Sequence, residues 1–356
     1  MNAPFAASAL AVRTAALADG RELRRLEGFV AGHPAGTLFH RPAWSRAVEI
    51  GCRQHAFYLA CEDPAGRLRG VLPLSEIRSR LFGHSLVSAG FGVRGGILAL
   101  DGPAEAALAE AAWSLAGRLG CSEVELRGGP VPGREWGRRE GVYANFSAPL
   151  PSGEGAILGS IKKRQRAEVR RGLGYGLDWR SGRGAAEREA HFRAYSTSVR
   201  NLGTPVFPRR LFEAMLDLFG EEADILTLFR DGRPLSSVLS FYYKSMVHPY
   251  WGGGTPEARR WRANETLYYR LMCLAAERGC TRFDFGRSKV GTGAYAFKKN
   301  WGFEPEPLAY SVRAAGGLER SVNPLDPKYR LQVALWKRLP LPLANRIGPL
   351  IARGLG

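Results

Sequence analysis

The chain has 356 residues, 45% of them hydrophobic, and a formal net charge of +18 from 51 Lys and Arg against 33 Asp and Glu. This length and apolar content suit two domains with sizeable cores, and no run of about 18 uncharged apolar residues is present, which excludes a membrane-spanning helix. The excess of positive charge favours an anionic partner, either nucleic acid, a phosphorylated cofactor or an anionic membrane face.

Cysteine and histidine usage points to a reduced protein without a metal. The five cysteines form no Cys-x-x-Cys pair, and the six histidines show neither His-x-His nor His-x-x-x-His spacing. Buried, reduced thiols are therefore expected in place of disulfides or a zinc site. The N-terminus has no apolar segment led by Lys or Arg of the secretory kind, and the expected location is cytoplasmic.

The first half of the chain predicts a helix, an antiparallel meander, a second helix and a further strand. Trp44, Ala47 and Val48 share one helix face, and a polar turn at 63–66 joins two strands. The segment 128–141, rich in Gly, Pro and Arg, predicts a loop. The predicted helices span 37–50 and 103–119, and the predicted strands span 56–60, 68–74, 85–88, 96–100 and 123–127.

The second half repeats this order after a strongly basic helix. Predicted helices at 157–171, 187–201 and 208–219 precede strands at 225–230, 234–243 and 246–251, then a helix at 264–278 and strands at 283–285 and 309–312. The order in both halves resembles the GNAT acyltransferase fold. The predicted class is α/β (α+β), with two tandem GNAT-like domains of mixed, mostly antiparallel sheets flanked by helices. The predicted domains are 1–150 and 151–316, followed by an amphipathic tail at 317–356.

A repeat supports this duplication. Residues 115–126 read like residues 274–285, with identical Leu, Ala, Gly and Cys at matching places. Each copy predicts a helix end, a glycine after the helix and then a strand. Glycines also precede both helices, at 92, 95 and 96 and again at 252–254.

Three motifs of the second half carry candidate chemistry. Residues 161–172 contain six Lys or Arg; such a helix either binds phosphates or is a solvated surface. The glycines at 252–254 let a ligand approach the backbone, while Asn264 suits the N-cap of the next helix better than ligand contact. The third motif, 284–302, predicts a strand, a basic glycine-rich loop and a short helix with Lys298 and Lys299, whose first amides favour anions.

These segments resemble the Fem family of aminoacyl-tRNA-dependent peptidyltransferases. Residues 161–176 are similar to the basic helix of that family, residues 39–44 to its Phe-x-x-Pro-x-Trp motif, and residues 283–302 to its Asp-x-Gly…Tyr-x-Phe-Lys segment. The resemblance is nearest to the FemAB-like branch found beside exosortase (PEP-CTERM) and exopolysaccharide genes. Unlike some Fem proteins, this chain has no charged coiled-coil arm, and it extends beyond the family core at 329–356.

The resemblance implies transfer of an acyl or aminoacyl group to an amine of a cell-wall or exopolysaccharide precursor. The donor would be aminoacyl-tRNA, a co-substrate and not a bound cofactor. Lys298 would stabilise the developing oxyanion or the leaving group, and Asp284 is a weaker candidate for the base, with His248 and Tyr250 as further candidates. No Ser-His-Asp arrangement is apparent, so direct attack is expected. The candidate substrate-binding residues are Arg166, Arg170, Tyr250, Arg262, Asn264, Arg287, Lys289 and Lys299.

Two alternatives stay open. An N-acyltransferase of the same fold would use acyl-CoA and place the pyrophosphate on the basic loop. A non-enzymatic RNA-binding or membrane-surface protein would explain the charge alone, although aromatic ladders typical of RNA-binding domains are missing.

The tail predicts an amphipathic helix with Tyr329, Val333, Trp336 and Leu339 on one face. Two prolines interrupt the apolar segment that follows, which predicts short helical pieces. The apolar stripe either docks on the anionic inner membrane face or packs on the second domain.

Overall fold

The structure is a computed structural model that describes residues 10–79, 81–316 and 327–355. The strands are β1 (Ala11–Thr14), β2 (Ala56–Glu62), β3 (Leu68–Ser79), β4 (Gly83–Ser88), β5 (Leu98–Ala99), β6 (Glu123–Arg127), β7 (Gly137–Pro149), β8 (Asp178–Gly182), β9 (Ala223–Arg230), β10 (Arg233–Tyr243), β11 (Met246–Gly254), β12 (Arg282–Asp284), β13 (Ser288–Lys289) and β14 (Pro305–Ala314). The helices are α1 (Gly20–Gly32), α2 (Pro42–Cys52), α3 (Gly102–Leu119), α4 (Glu154–Ser160), α5 (Lys163–Leu173), α6 (Ala185–Leu202), α7 (Arg209–Phe219), α8 (Ala263–Glu277), α9 (Gly293–Trp301), α10 (Pro327–Arg338) and α11 (Leu341–Ala352).

The chain divides into two compact units. Unit 1 comprises Met1–Arg139, Ala309–Val322 and Arg353–Gly356, and unit 2 comprises Glu140–Leu308 and Asn323–Ala352. These limits do not coincide with the predicted domain limits at 150 and 316. Most of β7 belongs to unit 2, and the end of β14 belongs to unit 1. The predicted tail also lies mostly in unit 2, and its residues 317–326 lie outside the described part of the chain.

Unit 1 is built on a mostly antiparallel sheet in the order β1-β2-β3-β4-β6-β14, with β5 beside β3. The pair β4–β6 is parallel, with Leu86 opposite Val124, and β14 closes the sheet antiparallel to β6. Helix α3 covers this sheet because Leu108, Ala112 and Leu115 recur on one side and enter the same core as Leu72 and Leu86.

Unit 2 repeats this arrangement with different strands. Its sheet has the order β7-β12-β11-β10-β9-β8, with β13 also paired to β7. The pair β11–β12 is parallel, and β7 lies antiparallel to β12. Helix α8 covers the core with Leu267 and Leu271, together with Phe146 and Phe283 from β7 and β12. This mixed, mostly antiparallel sheet flanked by helices confirms the predicted fold class.

The sequence repeat marks equivalent places in the two units. Helix α3 ends at Gly120 and helix α8 is followed by Gly279, both with positive φ, at 73° and 80°. The next strand, β6 or β12, then pairs parallel with the last strand of the meander. Each sheet is closed by a strand from the other half of the sequence, β14 in unit 1 and β7 in unit 2. Because each unit includes a strand from the other half of the sequence, the domain limits predicted from the sequence repeat do not match the limits of the units.

Several local predictions were wrong. The segment 128–141, predicted as a loop, contains the start of β7. This strand is determined by its pairing with β12, which the Gly and Arg content of the segment does not reveal. Strand β8 and helix α1 were not predicted. The basic helix predicted over 157–171 is two helices, α4 and α5, separated by extended backbone at Ile161 and Lys162.

The five cysteines lie in the interior of the protein, as the sequence predicted. Cys52, Cys61, Cys121, Cys273 and Cys280 are all buried free thiols. Burial raises the pKa of Cys52 to about 12 and that of Cys121 to about 11. Within the described residues, no helix is long and apolar enough to cross a membrane.

Candidate active site

The register of two parallel strands in unit 2 brings His248 and Asp284 together. Met246 pairs with Arg282 and Val247 with Phe283, and the pairing then ends. His248 and Asp284 occupy the next position of each strand, so their side chains share one face of the sheet. His248 Nδ1 lies 3.5 Å from Asp284 Oδ2, and both side chains are almost completely buried. This register places an imidazole nitrogen beside a carboxylate oxygen.

Asp284 is fixed by two hydrogen bonds to its other oxygen. Asn145 Nδ2 and the backbone N–H of Gly286 donate to Oδ1 at 3.0 and 2.8 Å. Asn145 is 1% exposed and stands on β7, opposite the end of β12. A carboxylate held in this way is better placed to orient His248 than to leave its partners and accept a proton.

A bulge separates β12 from β13. The backbone N–H of Phe285 donates to the carbonyl of Phe146, and Ser288 then pairs with Ala144. Gly286 and Arg287 therefore both face Asn145, and Gly286 takes a positive φ of 69° that favours glycine. The bulge turns the carbonyls of Gly286 and Arg287 out of the ladder.

Those two carbonyls hold Lys298. Its Nζ donates to the carbonyl oxygens of Gly286 at 2.9 Å and Arg287 at 3.1 Å. Lys298 lies on α9, and the N-cap of this helix is Thr292, whose hydroxyl accepts a hydrogen bond from the N–H of Tyr295. The ammonium also lies 5.5 Å from the centre of the Phe146 ring. The third N–H of Lys298 has no protein acceptor among the described residues, so it can donate to a ligand.

Burial lowers the pKa of Lys298 from 10.5 to about 7, because the ammonium loses its water. The carboxylate of Asp284 opposes this shift, and the guanidinium of Arg287 adds to it. Lys298, Asp284 and Arg287 are therefore one electrostatic cluster. A lysine that changes charge near neutral pH can stabilise negative charge that develops during a reaction.

Three further predicted residues lie in the loop and on β13 and β11. The guanidinium carbon of Arg287 lies 4.7 Å above the Tyr143 ring. Lys289 belongs to β13, and burial lowers its pKa. Tyr250 is the extra residue of a second bulge, because Leu239 pairs with Trp251 and Ser240 with Pro249.

The basic helix has mixed roles. Arg166 donates through Nε and Nη2 to the carbonyl of Ile161, at 3.2 and 3.0 Å, and so stabilises the break between α4 and α5. Arg170 and Lys299 are exposed. The carbonyl of Lys299 accepts a hydrogen bond of 3.1 Å from Lys162 Nζ. The structure therefore gives Arg166 a structural contact and leaves Arg170 accessible to an anion.

The start of α8 differs from the predicted one. Its N-cap residue is Arg262 with a φ of 50°, not Asn264, so the predicted capping role of Asn264 is wrong. Arg262 forms an ion pair with Glu168, and its Nη1 donates to the carbonyl of Arg259. Asn264 Oδ1 accepts a hydrogen bond of 2.5 Å from Ser236 Oγ on β10. Both side chains thus have structural partners within unit 2.

Sequence reasoning missed two features of unit 2. Asn145 was not recognised because its strand was not predicted. A groove of about 440 Å³ lies between the β9–β10 turn and the start of α8. There the guanidinium carbons of Arg230 and Arg260 lie 3.6 and 5.0 Å from the centre of the Trp261 ring. The remaining lining residues are Asp231, Arg233 and Glu257. The signal in the sequence was the run 259–262, in which three arginines flank Trp261.

Comparison with known families identifies the fold of this region. Residues 159–299 match the family described as acetyltransferase (GNAT) domain. The matched segment has the GNAT-type acyltransferase fold. The match includes Asp284, Lys298 and the bulge between β12 and β13, so the cluster lies inside this domain. No curated protein matches the chain.

Solved structures extend the likeness to both units. The crystal structure of FemX has 16% sequence identity and a TM-score of 0.61, covering 81% of this chain and 95% of that one. A tandem GNAT protein from the clavulanic acid biosynthesis pathway has 14% identity and a TM-score of 0.56, covering 87% and 100%. The C-terminal domain of a putative lysylphosphatidylglycerol synthetase from Agrobacterium fabrum has 14% identity and a TM-score of 0.55, covering 84% and 93%. The chain therefore has a GNAT-type fold that is similar to the fold of FemX.

Proposed function

We propose that unit 2 transfers an aminoacyl group from aminoacyl-tRNA to an amine of a cell-wall or exopolysaccharide precursor. The observation that carries this proposal is the buried Lys298, held by the carbonyls of Gly286 and Arg287 beside the His248–Asp284 pair. Acyl transfer to an amine needs a group that accepts the amine proton and a cation or donor near the developing oxyanion. The cluster supplies both.

Each group has a defined part in the reaction. The acceptor amine attacks the ester carbon of the donor, and the C–N bond forms as the carbonyl oxygen becomes negative. Lys298 donates its third N–H to the developing negative charge. The amine proton passes to the base, which gives it to the ribose oxygen as the ester C–O bond breaks and the ribose hydroxyl leaves. We assign that base to His248 and give Asp284 the positioning role, which revises the earlier preference for Asp284. No covalent enzyme intermediate forms.

Charge supports a polynucleotide donor. The chain carries a net charge of +18, and Lys163, Arg164, Arg170 and Arg171 are exposed on α5. Such cations bind phosphates without reading sequence. In this proposal Arg170, Lys299 and the groove around Trp261 contact the donor, Arg287 and Lys289 lie beside the transferred group, and Tyr250 faces the acceptor. Arg166, Arg262 and Asn264 support the backbone around them.

Acyl-CoA is the second candidate donor. The matched family is an acetyltransferase domain, and one similar structure is a tandem GNAT protein described without its AcCoA. A thioester would react at the same cluster, with the C–S bond breaking in place of C–O. The match to an acetyltransferase domain argues against a non-enzymatic RNA-binding or membrane-surface protein.

The acceptor is proposed from the Fem resemblance. FemX and a lysylphosphatidylglycerol synthetase domain share the fold, and the second name describes a lipid product. We place the acceptor on a lipid-linked envelope precursor at the inner membrane face, and the FemAB-like branch beside exosortase genes stays part of this proposal.

The test compares two donors and two variants. The purified full chain is incubated with lipid-linked precursor extracted from bacterial membranes and with either tRNA charged with radiolabelled amino acids or radiolabelled acetyl-CoA. Mass spectrometry then identifies a new amide. We expect product with charged tRNA, and a loss of about 10²–10³ in rate for Lys298→Met.

Lys244→Met is the matched control. Lys244 is also a lysine of unit 2 whose pKa burial lowers, but it lies at the β10–β11 turn, and its substitution is expected to leave the rate unchanged. Product formed with acetyl-CoA but not with charged tRNA would identify acyl-CoA as the donor. Equal rates for the wild type and Lys298→Met would overturn the site.

A further inference from the structure

The two C-terminal helices pack one side against α6. Val333 of α10 lies so close to Gly203 that a Cβ there would be 2.5 Å from its Cγ1. Arg200 Nη1 donates to the carbonyl of Lys337 at 3.2 Å. On α11, the buried residues Ala344, Gly348 and Ala352 recur every four positions. Val333, a member of the predicted stripe, therefore lies on the packing side of α10, whereas the side chain of Tyr329 lies outside the described part of the chain. The predicted break of the last segment is wrong, since α11 continues through Pro349.

A different set of apolar side chains is exposed on these helices. Leu331 and Leu335 are 71% and 57% exposed and lie one turn apart on α10. Leu343 and Leu350 are 42% and 64% exposed and lie two turns apart on α11. Residues four or seven apart share a helix face. Each pair therefore lies on one side of its own helix, and we call the two pairs together the leucine face. Exposure of these leucine side chains to water is unfavourable, and exposed leucines at regular spacing indicate a contact surface.

The charged residues of the two C-terminal helices all have the same sign. Residues 327–356 contain six Lys or Arg and no Asp or Glu. Lys337, Arg338 and Arg346 are exposed on the same helices as the four leucines. A second copy of this chain would bring these cations onto identical cations without an acidic partner. An anionic bilayer instead offers both hydrocarbon for the leucines and phosphates for the arginines.

We propose that the leucine face docks unit 2 onto a bilayer surface of anionic phospholipid. Helices α10 and α11 would lie in the plane of the interface, with the leucines inserted at the headgroup boundary and the cations at the phosphates. The docking does not depend on acyl-transfer chemistry, although it would hold the domain where a lipid-linked acceptor resides. Binding can therefore be measured without substrate, and its failure is separate from a failure of the proposed reaction.

The test is sedimentation of the full chain with vesicles. One set contains phosphatidylglycerol mixed with phosphatidylcholine, and the other contains phosphatidylcholine alone. We expect binding to the anionic set only, with a bound fraction that falls as salt is raised. Leu331→Gln with Leu335→Gln, and separately Leu343→Gln with Leu350→Gln, should each weaken binding by about tenfold or more, because apolar area no longer leaves water.

Leu100→Gln is the matched control. Leu100 is 52% exposed and lies in unit 1, so this variant should bind like the wild type. The substituted leucines are exposed, and unchanged melting temperatures will show that folding is intact. Light scattering of the free protein gives its oligomeric state. Absence of binding to anionic vesicles, binding that the leucine pairs do not change, or a dimer that those pairs dissolve would each overturn the proposal.

Discussion

Asn145 Nδ2 donates a hydrogen bond of 3.0 Å to Oδ1 of Asp284. The two residues come from strands far apart in the sequence, β7 and β12, which lie side by side in unit 2. Asn145 faces the bulge whose carbonyls hold Lys298, so one buried amide links the lysine and the His248–Asp284 pair. Its Oδ1 is buried without a protein partner among the described residues.

Substitution of His248 tests the assignment of the base. His248→Gln should lower kcat by about 10²–10⁴, because the amine proton loses its acceptor. Asp284→Asn should lower kcat less, since it only weakens the orientation of the imidazole. If the two act as a unit, the double variant should be no slower than His248→Gln alone. Steady-state rates of the three variants decide this, and additive losses would show that Asp284 acts separately.

The rate should fall as pH rises through about 7. Lys298 has a pKa lowered by burial to about 7, so its ammonium is lost above that pH, and with it the charge that faces the oxyanion. Lys298→Arg keeps a cation throughout the accessible range. The descending limb of the kcat profile should therefore disappear in that variant, provided circular dichroism shows a folded protein. If the descending limb stays at the same pH in Lys298→Arg, another titrating group causes it.

Lys298 should also make stability depend on pH. Between about 7 and 10.5 the unfolded chain binds a proton that the folded chain does not, so the free energy of unfolding rises with pH in this window. Below pH 7 Lys298 is protonated in both the folded and the unfolded chain. The folded chain then bears the full free-energy cost of burying the ammonium. The stability of the wild type relative to Lys298→Met should rise by up to about 1.4 kcal/mol per pH unit. Urea unfolding of both proteins at pH 6, 8 and 9 measures this, and parallel curves would contradict the lowered pKa.

Packing of α5 on α8 predicts an asymmetry between two helical glycines. A Cβ at Gly172 would lie 2.3 Å from Thr266 Oγ1, whereas a Cβ at Gly159 would meet nothing within 4 Å. Gly172→Ala should therefore lower the free energy of unfolding by about 1–3 kcal/mol. Gly159→Ala should leave it unchanged or raise it by about 0.5–1 kcal/mol, because alanine favours a helix. Equal melting temperatures for the two variants would show that the α5–α8 contact adapts.

The sequence by itself predicted the features that depend on local order. The repeated helix, glycine and strand gave the two GNAT-like arrangements, because a helix end and its αL glycine are coded by adjacent residues. The short helix that carries Lys298, the buried cysteines and the basic surface of α5 also follow from local pattern and composition.

Only the tertiary structure decided how distant segments meet. The strand β7 has no clear pattern of its own and is fixed by pairing with β12, and that pairing places Asn145 beside Asp284. The low pKa of Lys298 arises from burial and from charges of other elements. Gly203, the C-cap of α6, leaves room for Val333 and so determines which side of α10 packs, while Leu331 and Leu335 stay in water. Spacing along a helix defines its faces, but only the neighbouring elements determine which face they cover.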